Sequence, residues 1–557
     1  MKMKFIIFLV AHLLINSPSG QSISHNEEIS KDDVHTCSSS TLFDQAHYTF
    51  PQAIENATIA AGLPPQMKHV FGAFLGIQAW IPGIKMYETP LIVRFTHLID
   101  RMDWNCVAAY SLDWNDYLIE GGEPLVRVPM KIISPDGIVE IDMHNSDLRY
   151  QCMIHAWSTV VQDWVPESAE NVLDFISIYG LTDSSPSYDD EVSTCFDNGK
   201  ADAACLRNVA AFNCYKPSIV GAIVAQQLTE FARTDGWNME GKLDKDGSLC
   251  TANCNRYTDP TGYEPDTNYK RDKKNKSIHW QPLTEINGRG YETKQQHVVP
   301  HIGKLGKPST MTRKEMNSRV APKPNYKYQA EARKVLKRMR KLNDEKKMLI
   351  EFFDDKIDLI VVMINTIAQQ GVSFEQLINY AVGVTGAEYD SIILSWKEKV
   401  RHDLLRPTTW IQNNWGYKTM STWVAFEKEV VEIKGKNFEA YVRVMPHSEY
   451  LSGSACLCHA VMEFTDDWLQ NNLDMNSSVA VTLPEFPPGS SKIEPGMVPS
   501  EAVSVVYPNM KKLRNACGNS RLHGGMHFGA SVVNAYDLCK GVGNGAADKA
   551  KSLWGEL

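Results

Sequence analysis

A chain of 557 residues, 43% hydrophobic and 22% charged, has the make-up of a folded globular protein and enough length for a large core or for two or three ordinary domains. Its net charge of −9 and pI near 6.0 leave no electrostatic footprint for nucleic acid and argue against a general polyanion-binding role.

The first twenty residues differ from the rest. Lys2 and Lys4 make a short basic start, Phe5 to Ile15 an apolar run, and Ser17 to Gly20 a small-residue exit. That order is the layout of a secretory signal peptide, so residues 1–20 are set apart from the fold and the protein is expected to be secreted. The apolar run is too short to span a bilayer, and no later segment reaches the necessary length. Twelve cysteines, at 37, 106, 152, 195, 205, 214, 250, 254, 456, 458, 517 and 539, suggest disulfides formed in an oxidising compartment, with the pairing left open. The close pairs Cys250/Cys254 and Cys456/Cys458 could instead be metal ligands, but neither has a second Cys/His pair at zinc-site spacing. Sequons at Asn56, Asn275 and Asn476 are compatible with a glycosylated, secreted protein.

Apolar residues recur at helical spacing over 217–233, 328–353, 355–370, 374–401 and 526–540, which predicts an all-α fold. Residues 234–326, rich in Gly, Pro, Asn, Asp and Lys, read as long connections. A boundary near 325 divides an N-terminal helical region (21–325) from a C-terminal helical-bundle domain (326–557). Residues 301–347 carry fifteen Lys/Arg against four Asp/Glu. They read as a solvated helix face lying against acidic parts of the same chain, with a basic surface for an acidic partner as the alternative. Beyond the boundary, Ile357, Ile360, Val361, Ile364, Ile367 and Ala368 form one stripe, with Gly371 placed as a C-cap. Ser373 and Gln376 form a capping-box pattern opening the next helix, which runs through Trp396 to Lys399 and is expected to stop at Pro407.

Three separated segments in this half suit an oxyanion. Lys399, near a helix end, and Arg406, just beyond it, supply a mobile point charge and a planar, bidentate donor. Ser452-Gly453-Ser454 leads into an apolar periodic run and reads as a helix N-terminus, where free N–H groups and the helix dipole favour an anion. Arg521 and His527 stand in Ser-Arg-Leu-His-Gly-Gly-Met-His, with His527 expected in the first turn of a helix.

Together these segments resemble, in order and spacing, the three-part motif of vanadium-dependent haloperoxidases and the related type 2 phosphatidic acid phosphatases: K-x6-R-P, P-S-G-H and S-R-x-x-x-G-x-H. The first and third parts match fully. In the second, Ser454 stands where the family has histidine. The likeness extends over about 205–557. It implies helices bundled around bound vanadate, with the imidazole of His527 as its covalent protein ligand. Lys399, Arg406, Ser452, the Gly453 N–H and Arg521 would neutralise the equatorial oxygens. Hydrogen peroxide would exchange onto vanadium, Lys399 would polarise it, and halide attack would give hypohalous acid, with small organic acceptors as further partners.

The serine at 454 can hydrogen-bond but cannot titrate near neutral pH, so His447, His459 and His523 are candidates to replace the missing acid–base group. His447 also resembles the histidine of algal bromoperoxidases, where the fungal chloroperoxidase has phenylalanine, which favours bromide or iodide over chloride; Trp396 agrees with both. The alternatives are an acid phosphatase with His527 as nucleophile, and a non-catalytic oxyanion-binding protein. The family often forms dimers or larger assemblies.

Overall fold

The computed structural model describes residues 34–36, 50–111, 114–117, 124–134, 137–142, 145–178, 192–197, 200–250, 259–266, 278–286, 290–425, 427–473, 475 and 479–554. The signal-like segment, Cys37, Cys254, Asn275 and Asn476 lie outside these residues. Helices dominate, as expected. The N-terminal part contains α1 (Gln52–Ala60), α2 (Lys68–Ile84), α3 (Thr89–Ala109), α4 (Ser146–Trp164), α5 (Pro166–Ile178), α6 (Ala203–Phe212) and α7 (Pro217–Thr234). The connecting region holds the short helices α8 (Ile302–Leu305) and α9 (Arg313–Ser318). The C-terminal part holds α10 (Tyr328–Met339), α11 (Asp344–Asp354), α12 (Lys356–Ala368), α13 (Phe374–His402), α14 (Pro407–Trp415), α15 (Gly453–Leu473), α16 (Met510–His523), α17 (Gly529–Cys539) and α18 (Val542–Leu553). The strands are short and peripheral. The longest pair, β1 (Thr419–Val424) and β2 (Glu429–Lys434), forms an antiparallel hairpin with Thr419 opposite Lys434.

The single apolar run read over 328–353 is two helices, α10 and α11. Asn343 separates them and caps the second by accepting from Lys346 N. The 29-residue α13 is the central element, packed against α3, α15 and α18. Its capping box is present: Gln376 N donates to Ser373 Oγ, and Ser373 N donates to Gln376 Oε1. Its end differs from the expectation. Asp403, at φ 47°, takes the left-handed conformation that stops α13, while Pro407 occupies the first turn of α14, where a missing N–H costs nothing. Two glycines permit close packing on α13. A Cβ at Gly303 would lie 2.4 Å from the Lys397 backbone N, and one at Gly383 would lie 2.4 Å from the Phe464 ring. One hydrophobic core takes side chains from both sides of position 325, running from Phe50 to Leu553.

No described cysteine is free, and no described cluster of His, Cys, Asp or Glu could hold a metal ion. Cys456 and Cys458 are not a ligand pair: they bond to Cys539 and Cys517, tying α15 to α17 and to α16. Cys106 bonds to Cys152 and Cys195 to Cys205. The Asn56 sequon falls inside α1, with Asn56 exposed and Thr58 buried and donating to Ile54 O. Among the described residues no helix is long and apolar enough to cross a membrane.

The C-terminal end of α13 carries a buried acid that ties it to its surroundings. Glu398 accepts from Ala321 N at 3.1 Å and from Arg401 Nε at 2.9 Å, with His402 close by. Burial alone would raise its pKa, but His402, Arg401 and the Ala321 N–H together lower it to about 2. A depressed carboxylate contributes stability above its unfolded pKa and loses it as pH falls through the folded one. Glu398→Gln is therefore expected to cost about 1–2 kcal/mol at pH 7, since Arg401 is partly exposed and screened, with the difference shrinking between pH 4.5 and 2. Denaturant unfolding of both proteins across that range checks it.

Candidate oxyanion site

The three motif segments, up to 128 residues apart in sequence, meet where α13 ends, α15 begins and α16 turns into α17. Lys399 sits in the last turn of α13, fully buried, and its Nζ donates to Ser448 O at 2.7 Å and Glu449 O at 3.1 Å. Arg406 is the residue preceding α14 and is 1% exposed. Its Nε donates to His447 O at 2.9 Å and its Nη1 to Met526 O at 3.2 Å. Arg521, in the last turn of α16, is also 1% exposed. Its Nη2 donates to Asp354 Oδ1 at 2.9 Å, while Nε and Nη1 are buried with no hydrogen-bond partner among the described residues.

Ser452 and Gly453 lie where the sequence places them. Gly453 is the first residue of α15, and Ser452 Oγ caps that helix by accepting from Ala455 N at 3.3 Å. The Gly453 Cα faces the cations: a Cβ there would lie 3.8 Å from Lys399 Cε and 3.4 Å from the Trp396 ring. Ser454, half-buried, follows in the first turn of α15.

His527 is not in the first turn of a helix. It precedes Phe528, the N-cap of α17, and follows the left-handed Gly525 at φ 76°. Its position is set by its neighbours: Met526 is buried with Ile350, Tyr441 and Val442, and Phe528 in a separate cluster with Val335, Met339 and Ile411. Pinned on both sides, the imidazole is 2% exposed. His527 Nδ1 lies 3.1 Å from Glu449 Oε1 and 3.2 Å from Ser531 Oγ. A carboxylate at that distance holds the proton on Nδ1 and leaves the Nε2 lone pair free.

The electrostatics follow from burial of so many like charges. Burial lowers the His527 pKa well below its ordinary value, and Arg406, Lys399 and Arg521 lower it further, so the ring is neutral. Lys399 is likewise pushed well down, by burial and then by Arg406, against the opposing pull of Glu449. Arg406 falls to about 10 and stays charged. Glu449 is raised by burial and restrained by hydrogen bonds from Phe528 N at 3.0 Å and Tyr326 OH at 2.8 Å, and by Lys399. An arrangement of buried cations that depress one another, with two unpartnered guanidinium nitrogens, is suited to a multiply charged oxyanion.

His447 belongs to this site. Its ring lies 4.6 Å from that of Trp396 and 3.1 Å from Arg406 Nη2. Burial, Lys399 and Arg406 keep it uncharged. His459 and His523 do not belong to it. His459 lies on α15 against Arg514 and Tyr536, and His523 among lysines of α10 and α11.

Three neighbours escaped the sequence reading. Glu449 stands in an irregular stretch before α15 and has no motif of its own. Asp354 ends α11, and nothing in its local sequence marks it as a partner of Arg521. His297, in a connection with no periodicity, accepts from Ser448 N at 3.4 Å, and its pKa falls to about 3 through burial above all.

Comparisons with known proteins bear on the fold that carries this site. Residues 379–556 match the family model described as VCPO second helical-bundle domain. The chain is similar to a bacterial vanadium-dependent chloroperoxidase in its holo form, at TM-score 0.67 and 19% identity over 86% of this chain and 95% of that one. The apo form gives TM-score 0.67 and 20% identity over 84% and 94%. A bacterial vanadium-dependent iodoperoxidase gives TM-score 0.53 and 14% identity over 85% and 95%. Comparison with curated proteins gives no significant match. The chain thus has the helical fold of these proteins, and its residues 379–556 match a vanadium chloroperoxidase-type second helical-bundle domain.

Proposed function

We propose that this is a secreted vanadium-dependent haloperoxidase that oxidises bromide or iodide with hydrogen peroxide. The observation that carries the reading is the convergence of Lys399, Arg406 and Arg521, all buried, on a neutral His527, with Arg521 Nε and Nη1 unpartnered. Vanadate fits this donor set: His527 Nε2 would hold it, and the three cations, Ser452 and the Gly453 N–H would hold its oxygens. When bound, vanadate supplies a Lewis-acidic centre that activates peroxide without changing oxidation state.

The chain's own residues do the rest. Glu449 and Ser531 fix the His527 tautomer. Arg406 is tethered by His447 O and Met526 O and Arg521 by Asp354, so both guanidinium groups are held in place before any anion arrives. Lys399 Nζ, held by two backbone carbonyls, is poised to donate to a bound oxygen. His447, uncharged on the Trp396 face, can accept a proton but does not carry one near neutral pH. Six described disulfide-bonded cysteines besides those joining α15 to α16 and α17 support secretion.

The test is a peroxide-dependent bromination assay on purified protein, with vanadate removed and restored. Activity that appears with orthovanadate and is suppressed by phosphate is expected. Activity indifferent to vanadate would overturn the reading, and phosphomonoester hydrolysis lost in His527→Ala would favour the phosphatase instead. Because Ser454 offers no titrating group, Ser454→His is expected to raise bromide turnover near neutral pH by roughly tenfold, short of the ~10²–10⁴-fold of an optimally placed acid–base group. Steady-state rates for iodide, bromide and chloride check both this and the halide order.

A further inference from the structure

The basic segment 301–347 only partly behaves as a solvated face lying on acidic neighbours. Lys347 does pair with Glu494, at 2.8 Å, and Lys334 with Glu331, at 2.6 Å. Elsewhere the charge is gathered in one place. Lys334, Lys337, Arg338 and Lys341 of α10 and the turn after it, Lys346 of α11 and His523 at the end of α16 line a single concavity of about 340 Å³. The acid beside it, Glu331, is already engaged by Lys334 and by Gly529 N at 3.3 Å. Arg338 is half-buried, and its Nη1 is shut off from solvent with no hydrogen-bond partner among the described residues. Like charges held this close repel one another and are relieved by a bound anion.

We propose that this concavity is a second anion site, separate from the cage, for a short polyanion with adjacent phosphate or sulfate groups. The volume exceeds what one tetrahedral oxyanion fills, and the cations are spread over two helices rather than focused on one point. Arg338 supplies the planar, bidentate donor and the lysines supply point charges along the ligand. His523 closes one end. Burial, Lys346 and Arg338 keep its pKa below the ordinary value, and an anion in the concavity would raise it. The inference does not rest on the haloperoxidase reading, because none of these side chains contributes to the cage.

The experiment is calorimetric titration of the full chain, saturated with vanadate, using sodium tripolyphosphate in one arm and sucrose octasulfate in the other. Saturable one-site binding that weakens with salt is expected, together with a shift of the His523 ring signals in NMR. Tighter binding of the first probe assigns a phosphate ligand, and tighter binding of the second a sulfated sugar. Lys337→Gln with Lys341→Gln, both at exposed positions, should weaken binding by about tenfold or more while leaving vanadate binding unchanged. No saturable binding of either probe, or binding undiminished in the double variant, overturns the proposal.

Discussion

On the proposed function, His527→Ala is expected to reduce vanadate-dependent halide oxidation by on the order of 10³-fold, more than the loss of any one of the three cations. Two features make the loss large. The imidazole is neutral with Nε2 free, which only a histidine can offer here, and it is pinned between two buried residues, so no neighbour can move in to replace it. The cations would remain. Vanadate should therefore still bind the variant, more weakly, as a non-covalently held anion. ⁵¹V NMR of the loaded variant against steady-state bromination separates the two effects. Unchanged turnover in the variant would show that His527 is not the ligand. Proton linkage gives a second check. In the free protein Lys399 is pushed well down by burial and by Arg406, and an anion beside it restores its charge. Binding then takes up protons, so vanadate affinity should fall as pH rises through the restored lysine pKa.

The helices were legible because their apolar periodicity and caps are local. The Ser373–Gln376 box and the start of α15 at Gly453 lie where the sequence puts them. Ends were less so, because the residue that stops a helix need not be the strongest breaker nearby. Asp403 ends α13 four residues before Pro407, and His527 stands outside α17 because Gly525 and the anchoring of Met526 and Phe528 set the turn. The cage was legible because arginine, lysine and histidine at fixed spacing carry their chemistry with them. What holds the cage was not. Ser448 and Glu449 reach Lys399 through backbone carbonyls, which any residue possesses. Asp354 reaches Arg521 across 167 positions, and nothing in the local sequence of either announces the other.

Glu449 is the clearest case, and its removal carries the second large effect. Its Oε1 faces His527 Nδ1 and the Phe528 N–H, and its Oε2 accepts from Tyr326 OH. Those contacts hold the ring tautomer and place a negative charge behind the imidazole proposed to hold vanadate. Glu449→Gln keeps the shape and can still accept from Nδ1 through its amide oxygen, but loses the charge. Glu449→Ala loses both. Outer partners of ligating histidines are typically worth 10–100-fold in affinity or activity. The expected order is a fall near tenfold for the glutamine variant and near a hundredfold for the alanine variant. A merely structural role predicts equal thermal destabilisation and equal activity loss in step with it. A positioning role predicts that the glutamine variant, with its fold intact, shows weaker vanadate binding and a shifted pH profile. The shift has a definite sign. Glu449 pulls the Lys399 pKa upward, so without its charge the lysine loses its proton at lower pH and the alkaline limb of activity moves down. A glutamine variant with wild-type affinity and an unmoved alkaline limb would leave Glu449 no part beyond packing.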